Sequence, residues 1–108
     1  MTRGHENDAS TVAWILYSVA MASGPEPASF AQISGLADAI NHAVPTQQEL
    51  SGSLRQLRAV GLVAAHVKRY ALTDAGKAML EAAQGSASTV SLVWKNLTLA
   101  IGQLTSAT

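Results

Sequence analysis

The segment TQQELSGSLRQLRAVGLVAAHVKRYALTDAGKAML, from Thr46 to Leu80, reads as a helix, a short hairpin and a second helix in direct succession. Thr46 and Glu49 have the spacing of a capping box, in which each side chain satisfies the other residue's backbone N–H, so a helix is predicted to begin here. Gly61 is placed to end it, because glycine takes the left-handed conformation without a Cβ clash.

The hairpin and the following helix are predicted from the residues after Gly61. Two short runs, 62–65 and 69–72, are interpreted as strands joined by a tight turn near residues 66–68. Thr73 then caps a helix that extends from Asp74 to about residue 84, with the Asp74 carboxylate near the positive end of the helix dipole.

Two further helices are predicted upstream of this segment. Ser10 or Thr11 is expected to cap the first, and the glycine and prolines of residues 24–27 end it. Ser29 is expected to cap the second, which the segment 41–45 closes because a residue before proline is pushed out of the helical region.

The two ends of the chain are predicted to differ from its middle. Residues 1–9 are polar, so a disordered N-terminal tail is expected. A last helix is predicted over about residues 88–104, where apolar residues recur with 4-3-4-3 spacing and form a heptad-like seam. The seam residues are Val90, Trp94, Leu97, Ile101 and Leu104.

Composition excludes several function classes. The chain has no cysteine, which rules out disulfide scaffolds, thiolate zinc sites and cysteine nucleophiles. Its N-terminal residues lack the apolar core of a signal peptide, and no apolar run approaches the length of a membrane span. A cytoplasmic protein without membrane association is therefore expected. The net charge is zero, which by itself predicts no polyanionic partner.

Catalytic and metal-binding chemistry find no support in the sequence. His5, His42 and His66 fall on the predicted tail, a loop and a turn, and none has metal-ligand spacing from another histidine. No serine has the context of a nucleophile elbow, and no glycine loop has the spacing that cradles phosphates. We expect a protein that is not an enzyme and that needs no metal or cofactor.

The opening segment resembles the recognition helix, wing and following helix of bacterial winged helix-turn-helix regulators of the MarR and PadR type. The resemblance rests on the leucine spacing into GLV at 61–63 and on RYALT at 69–73 running into DAG, and it covers about residues 29–83. It implies a mostly α fold with a small β-hairpin: a winged-helix DNA-binding domain over residues 10–84, with a three-helix core, a short wing and additional C-terminal helices.

One face of helix 46–60 suits DNA binding. Leu50, Leu54 and Leu57 form an apolar stripe, and small, amide and basic residues face away from it. A helix in the major groove needs small residues near the base edges and amide or guanidinium groups that pair with bases. By the resemblance, Gln47, Gln48, Ser51, Gly52 and Arg55 would contact bases, Arg58, Lys68 and Arg69 would contact phosphates, and Thr46 and His66 complete the candidate DNA-binding set.

Two alternatives stay open. The same polar face is also ordinary solvent-exposed surface, and the neutral net charge and short wing would suit a protein–protein interaction module without DNA affinity.

The terminal seam either folds back on the domain or pairs with a second chain. A homodimer is favoured, because the core is thin and Trp94 lies on the seam. Residues 85–108 are then the dimerisation element, and the two recognition helices would face a palindromic site on double-stranded DNA.

Overall fold

The computed structural model describes residues 7–85 and 87–106. Within these residues the chain forms five helices and three short strands, so it is mostly α-helical with a small antiparallel sheet. In chain order the elements are α1 (Ala9–Ala22), β1 (Ala28–Ser29), α2 (Phe30–Asn41), α3 (Gln47–Ala59), β2 (Val63–Ala65), β3 (Arg69–Leu72), α4 (Asp74–Gln84) and α5 (Val90–Ser106).

The sheet has the order β1-β3-β2, and both pairings are antiparallel. Val63 of β2 lies opposite Leu72 of β3, which is the predicted hairpin. Ala28 of β1 lies opposite Tyr70, and this pairing was not expected from the sequence. A strand of two residues is too short to show any periodicity, so only its partner reveals it. Its effect is to hold the start of α2 beside the hairpin.

The predicted helix caps are confirmed for α2, α3 and α4, at Ser29, Thr46 and Thr73. At Thr46 the capping box is complete. The Glu49 N–H donates to Thr46 Oγ1 at 3.0 Å, and the Thr46 N–H donates to Glu49 Oε1 at 2.9 Å. Gly61 has a φ of 79° just beyond the end of α3, as its predicted role as a helix stop requires.

The first helix begins earlier than predicted. Its N-cap is Asp8, not Ser10 or Thr11, and Asp8 Oδ1 accepts a hydrogen bond from the Thr11 N–H at 2.9 Å. That bond, followed by a bond from the Thr11 hydroxyl, lowers the pKa of Asp8 below its usual value. The negative carboxylate also faces the positive end of the helix dipole, which favours this start. Of the predicted tail, residues 1–6 lie outside the described residues.

The centre of the fold is α1. Every residue from Val12 to Val19 is buried. This burial arises because α2, α3 and α5 all pack against this helix. Its buried polar groups are satisfied: Trp14 Nε1 donates to the Ala37 carbonyl at 2.9 Å, and Ser18 Oγ donates to the Trp14 carbonyl at 2.8 Å.

The C-terminal helix folds back on the domain. Leu97 is 0% exposed and Ile101 is 3% exposed, so these two seam residues have no surface left for a second chain. The Trp94 ring lies 6.2 Å from the Trp14 ring, and Trp94 Nε1 donates to the Ser10 carbonyl at 2.9 Å. Of the two alternatives for the seam, the structure therefore has the one in which α5 folds back on its own domain as a core helix. Val90 and Leu104 are exposed, and the homodimer stays a prediction.

The hairpin and α4 meet at a close backbone contact. Gly76 is buried in the first turn of α4, and a Cβ there would collide with the carbonyl oxygen of Leu62. Thr73 reinforces the contact, because its hydroxyl donates to the Gly61 carbonyl at 2.6 Å and accepts from the Gly76 N–H at 3.1 Å. A glycine is therefore required at position 76 by space and not by backbone conformation.

We predict that Gly76→Ala lowers the free energy of unfolding by about 1–3 kcal/mol, because backbone would have to move to admit the methyl group. The matched control is Gly35→Ala, at an exposed position inside α2 with nothing within 4 Å of an added Cβ. That variant should be more stable by about 0.5–1 kcal/mol. Urea denaturation measures both, and a Gly76→Ala variant as stable as the native chain would contradict the contact.

Candidate nucleic-acid interface

The predicted DNA-reading helix, α3, is attached to the domain by one side. Leu50, Leu54 and Leu57 are buried in the core and contact the rest of the domain, as their spacing predicts. Burial of this stripe turns the opposite side of α3 toward solvent. The orientation of the candidate interface therefore follows from the packing of three leucines.

Most residues predicted to read bases lie on the exposed part of the helix surface. Gln48 and Arg55 are exposed and face broadly opposite the leucines, and Gln47 and Arg58 are exposed at the flanks. Ser51 is half-buried, and its hydroxyl donates to the Gln47 carbonyl at 2.8 Å. The hydroxyl proton of Ser51 is thus used within the helix, which leaves the Ser51 oxygen lone pairs for a donor on a ligand. Thr46 is exposed at the N-cap of the same helix.

Gly52 does not lie on the open surface. It is buried, and a Cβ there would come within 2.9 Å of Gln48 Nε2 and 3.0 Å of Asn7 Nδ2. Its small size makes room for these two amides within the chain. The expectation that Gly52 permits close approach to base edges is therefore corrected. Sequence reasoning missed Asn7 because its partners in α3 are more than 40 residues away along the chain.

The hairpin turn has two residues, Val67 and Lys68, both with positive φ, at 48° and 66°. His66 and Arg69 close it, with the His66 N–H donating to the Arg69 carbonyl and the Arg69 N–H donating to the His66 carbonyl at 3.1 Å. This is the left-handed backbone geometry of a type I′ hairpin, which suits the twist of the strands. His66 and Lys68 project from the turn and are exposed, as predicted.

Arg69 has a structural partner. Its Nη1 donates to the carbonyl of Pro27 at 3.3 Å, which links β3 to the residue that precedes β1. The side chain is exposed, so its other guanidinium donors remain open to an anion. Of the predicted phosphate-binding residues, Arg69 is thus the one that also supports the sheet.

Three of the positive charges predicted to contact DNA are not neutralised by the described residues. Across the described residues, Arg55, Arg58 and Lys68 have no hydrogen bond or ion pair with another side chain. Residues 50–73 contain no acidic residue, and the adjacent Glu49 uses Oε1 to accept the Thr46 N–H. Unpaired cations on a surface keep their attraction for an incoming phosphate.

The described part of the chain contains neither a cluster of metal ligands nor a membrane-spanning helix. Among the described residues, no three histidine, aspartate or glutamate side chains come close enough to hold a metal ion. None of the described helices has the length and apolar character needed to span a membrane.

A groove of about 400 Å³ lies beside the turn, where Phe30 and Tyr70 pack with ring centroids 5.6 Å apart next to Lys68.

Comparisons of the chain with protein-family models, with curated proteins and with solved structures found no match. Only the residues and their geometry therefore indicate a function.

We predict that Val67→Asn stabilises the protein. A β-branched residue at positive φ is strained, whereas asparagine adopts this conformation readily, and the 94% exposed Val67 side chain loses little packing when replaced. A gain of about 1 kcal/mol would raise Tm by about 4–8 °C in a chain of this size. Val44→Asn is the control, since Val44 is an exposed loop valine outside the left-handed region. An unchanged or lower Tm for the Val67→Asn variant would contradict the turn geometry.

Proposed function

We propose that the protein binds double-stranded DNA as a winged helix-turn-helix transcriptional regulator, with α3 in the major groove and the β2–β3 hairpin against the phosphate backbone. The observation that carries the proposal is the exposed face of α3. Away from its buried leucines it presents amides together with Arg55 and Arg58, and these guanidinium groups have no partner within the described residues.

The arrangement of the elements supports this proposal. Three helices lead directly into a two-stranded hairpin, as expected for a helix-turn-helix followed by a wing. With 13 residues, α3 is about 20 Å long. A major groove about 12 Å wide admits a helix whose exposed side carries polar side chains. The unpaired Lys68 at the hairpin tip would then supply a further charge for the phosphate backbone.

The side chains have distinct roles in this proposal. Arg55 lies in the middle of α3, where its planar fork can pair with O6 and N7 of a guanine, and Gln47 near the start of the helix can pair with an adenine. Arg58 and Lys68 would neutralise phosphates, which fixes the register without reading sequence. Affinity would then depend steeply on salt, because each neutralised phosphate releases condensed counterions.

A homodimer would complete the regulator by presenting two α3 helices to two half-sites about one helical turn apart. Because Leu97 and Ile101 are in the core, such a dimer would have to use the outer side of α5. Leu92 and Leu99 are 42% and 57% exposed there, and they lie two turns apart on one face of the helix.

A second candidate function is a protein–protein interaction module without DNA affinity. It is favoured by Val67, because an almost fully exposed valine in a strained turn suits contact with an apolar partner better than contact with phosphates. The two candidates differ in their response to salt, since only the DNA complex should weaken in proportion to the number of phosphates neutralised.

We predict that Arg55→Ala and Lys68→Ala weaken DNA binding in different ways. Loss of Arg55 should cost about 1–3 kcal/mol at the preferred sequence and relax the preference at one base pair. Loss of Lys68 should weaken binding to all sequences and reduce the slope of log K against log salt by about one. The measurement is fluorescence anisotropy over a salt series, with duplexes selected from genomic fragments at low salt and with mixed-sequence duplexes.

The control is Lys95→Ala, which removes one positive charge from α5, beside a groove lined by Ser10, Trp94 and Leu99. It should bind DNA like the native chain, because net charge alone is not the basis of the interaction. If both test variants bind with native affinity and salt dependence, or if the native chain shows no salt-dependent binding, the DNA proposal is wrong.

A further inference from the structure

Asn7 connects the start of α1 to the side of α3. Its backbone N–H donates to Gln56 Oε1 at 2.8 Å, and its carbonyl accepts from Gln56 Nε2 at 3.2 Å. Its side-chain Nδ2 lies 3.1 Å from the carbonyl oxygens of both Gln48 and Glu49 and 2.9 Å from Ser53 Oγ. We call this set of hydrogen bonds the Asn7 bridge.

The residues along α3 leave space for the Asn7 side chain and require an amide there. Gln48, Gly52 and Gln56 are four residues apart, so they form one row along the side of α3. Only the middle position lacks a side chain, and Asn7 Nδ2 occupies that gap, 3.0 Å from where a Cβ of Gly52 would be. An amide is needed at position 7, because Nδ2 faces oxygen acceptors and a carboxylate there would offer them no hydrogen.

The bridge acts on a different property of α3 from the leucine stripe. Apolar contacts through Leu50, Leu54 and Leu57 set which side of the helix faces the core, but they are non-directional, so they constrain its exact rotation less sharply than hydrogen bonds do. Hydrogen bonds are directional. Those of Asn7 reach from the first turn of α3 to Gln56, about 12 Å along the axis. Two attachments this far apart along one row of the helix define its rotation about its own axis relative to the start of α1.

We infer that Asn7 is a positioning residue for DNA recognition, which sets the direction in which Gln48, Ser51 and Arg55 project from α3. The inference rests on the proposed function. The bridge covers the row of Gln48, Gly52 and Gln56, about opposite the buried stripe and beside the exposed face, so it orients the reading side chains and leaves Arg55 and Arg58 exposed. Without it, α3 stays docked, but its exposed face no longer keeps one orientation relative to the groove.

The test compares Asn7→Asp with Asp8→Asn in the full chain. The first variant keeps the shape and the backbone bonds to Gln56 but replaces the Nδ2 donor with an acceptor. The second changes the adjacent residue, and asparagine is as good an N-cap as aspartate. Anisotropy should be measured well below the Tm of each variant, with the selected duplex and with a mixed-sequence duplex.

We expect Asn7→Asp to bind the selected duplex at least 10-fold more weakly than the native chain and to lose less affinity for the mixed-sequence duplex, so the ratio of the two dissociation constants falls. Asp8→Asn should keep the native ratio. A merely structural role would lower the Tm of Asn7→Asp and leave that ratio unchanged. Gln56→Met is the second variant if Asn7→Asp does not fold, since it keeps the length of the side chain and removes both bonds to the Asn7 backbone.

A folded Asn7→Asp or Gln56→Met variant with the native ratio and affinity would overturn the role of Asn7 while DNA binding by the native chain still stands. A native chain that binds neither duplex would instead overturn the proposed function, and the role of Asn7 with it. The two failures are therefore distinguishable from the native measurement alone.

Discussion

The all-round burial of α1 is the constraint on which the rest of the structure depends. A helix with Val12–Val19 buried on all sides must be covered by other elements, and α2, α3 and α5 supply their apolar faces for this purpose. The Trp14 indole and the Ser18 hydroxyl can be buried there because each finds a backbone carbonyl. Since α3 covers α1 with its leucines, Gln47, Arg55 and Arg58 face solvent. The candidate interface is thus a consequence of core packing.

Local signals in the sequence predict much of this fold. The capping box of Thr46 and Glu49, the left-handed Gly61 and the cap at Thr73 each involve neighbours within a few residues, so they can be identified without the tertiary structure. The exposed side of α3 was likewise predictable, because the period of the leucines defines the opposite face. Long-range contacts were not predictable. β1 is visible only through its pairing with β3, and the amide of Asn7 gives no signal that it will meet α3.

At two places, the α5 seam and Gly52, the sequence pattern indicates a contact but does not identify what makes that contact. The 4-3-4-3 spacing in α5 correctly indicates an apolar seam, but a seam packs equally well against another helix of the same chain or of a second chain. The first arrangement is favoured here by the burial of Leu97 and by the Trp94 indole, which donates to the Ser10 carbonyl of the same chain. Gly52 is similar, because a glycine in a helix indicates close approach and leaves open what approaches. In this protein the side chain of Asn7 approaches Gly52. Gly52, predicted to be part of the reading surface, therefore belongs to the contacts that support that surface.

In the proposed function, the exposed face of α3 and the tip of the β2–β3 hairpin together form a DNA-binding surface. A titration of the isotope-labelled protein with a selected DNA duplex at low salt, followed through the amide resonances, tests for this surface. The largest shifts should fall on residues 47–58 and 66–69, with the outer side of α5 around Leu92 and Leu99 little changed. Shifts concentrated on α5 with α3 unaffected, or no shifts at any salt concentration, would contradict the proposed function.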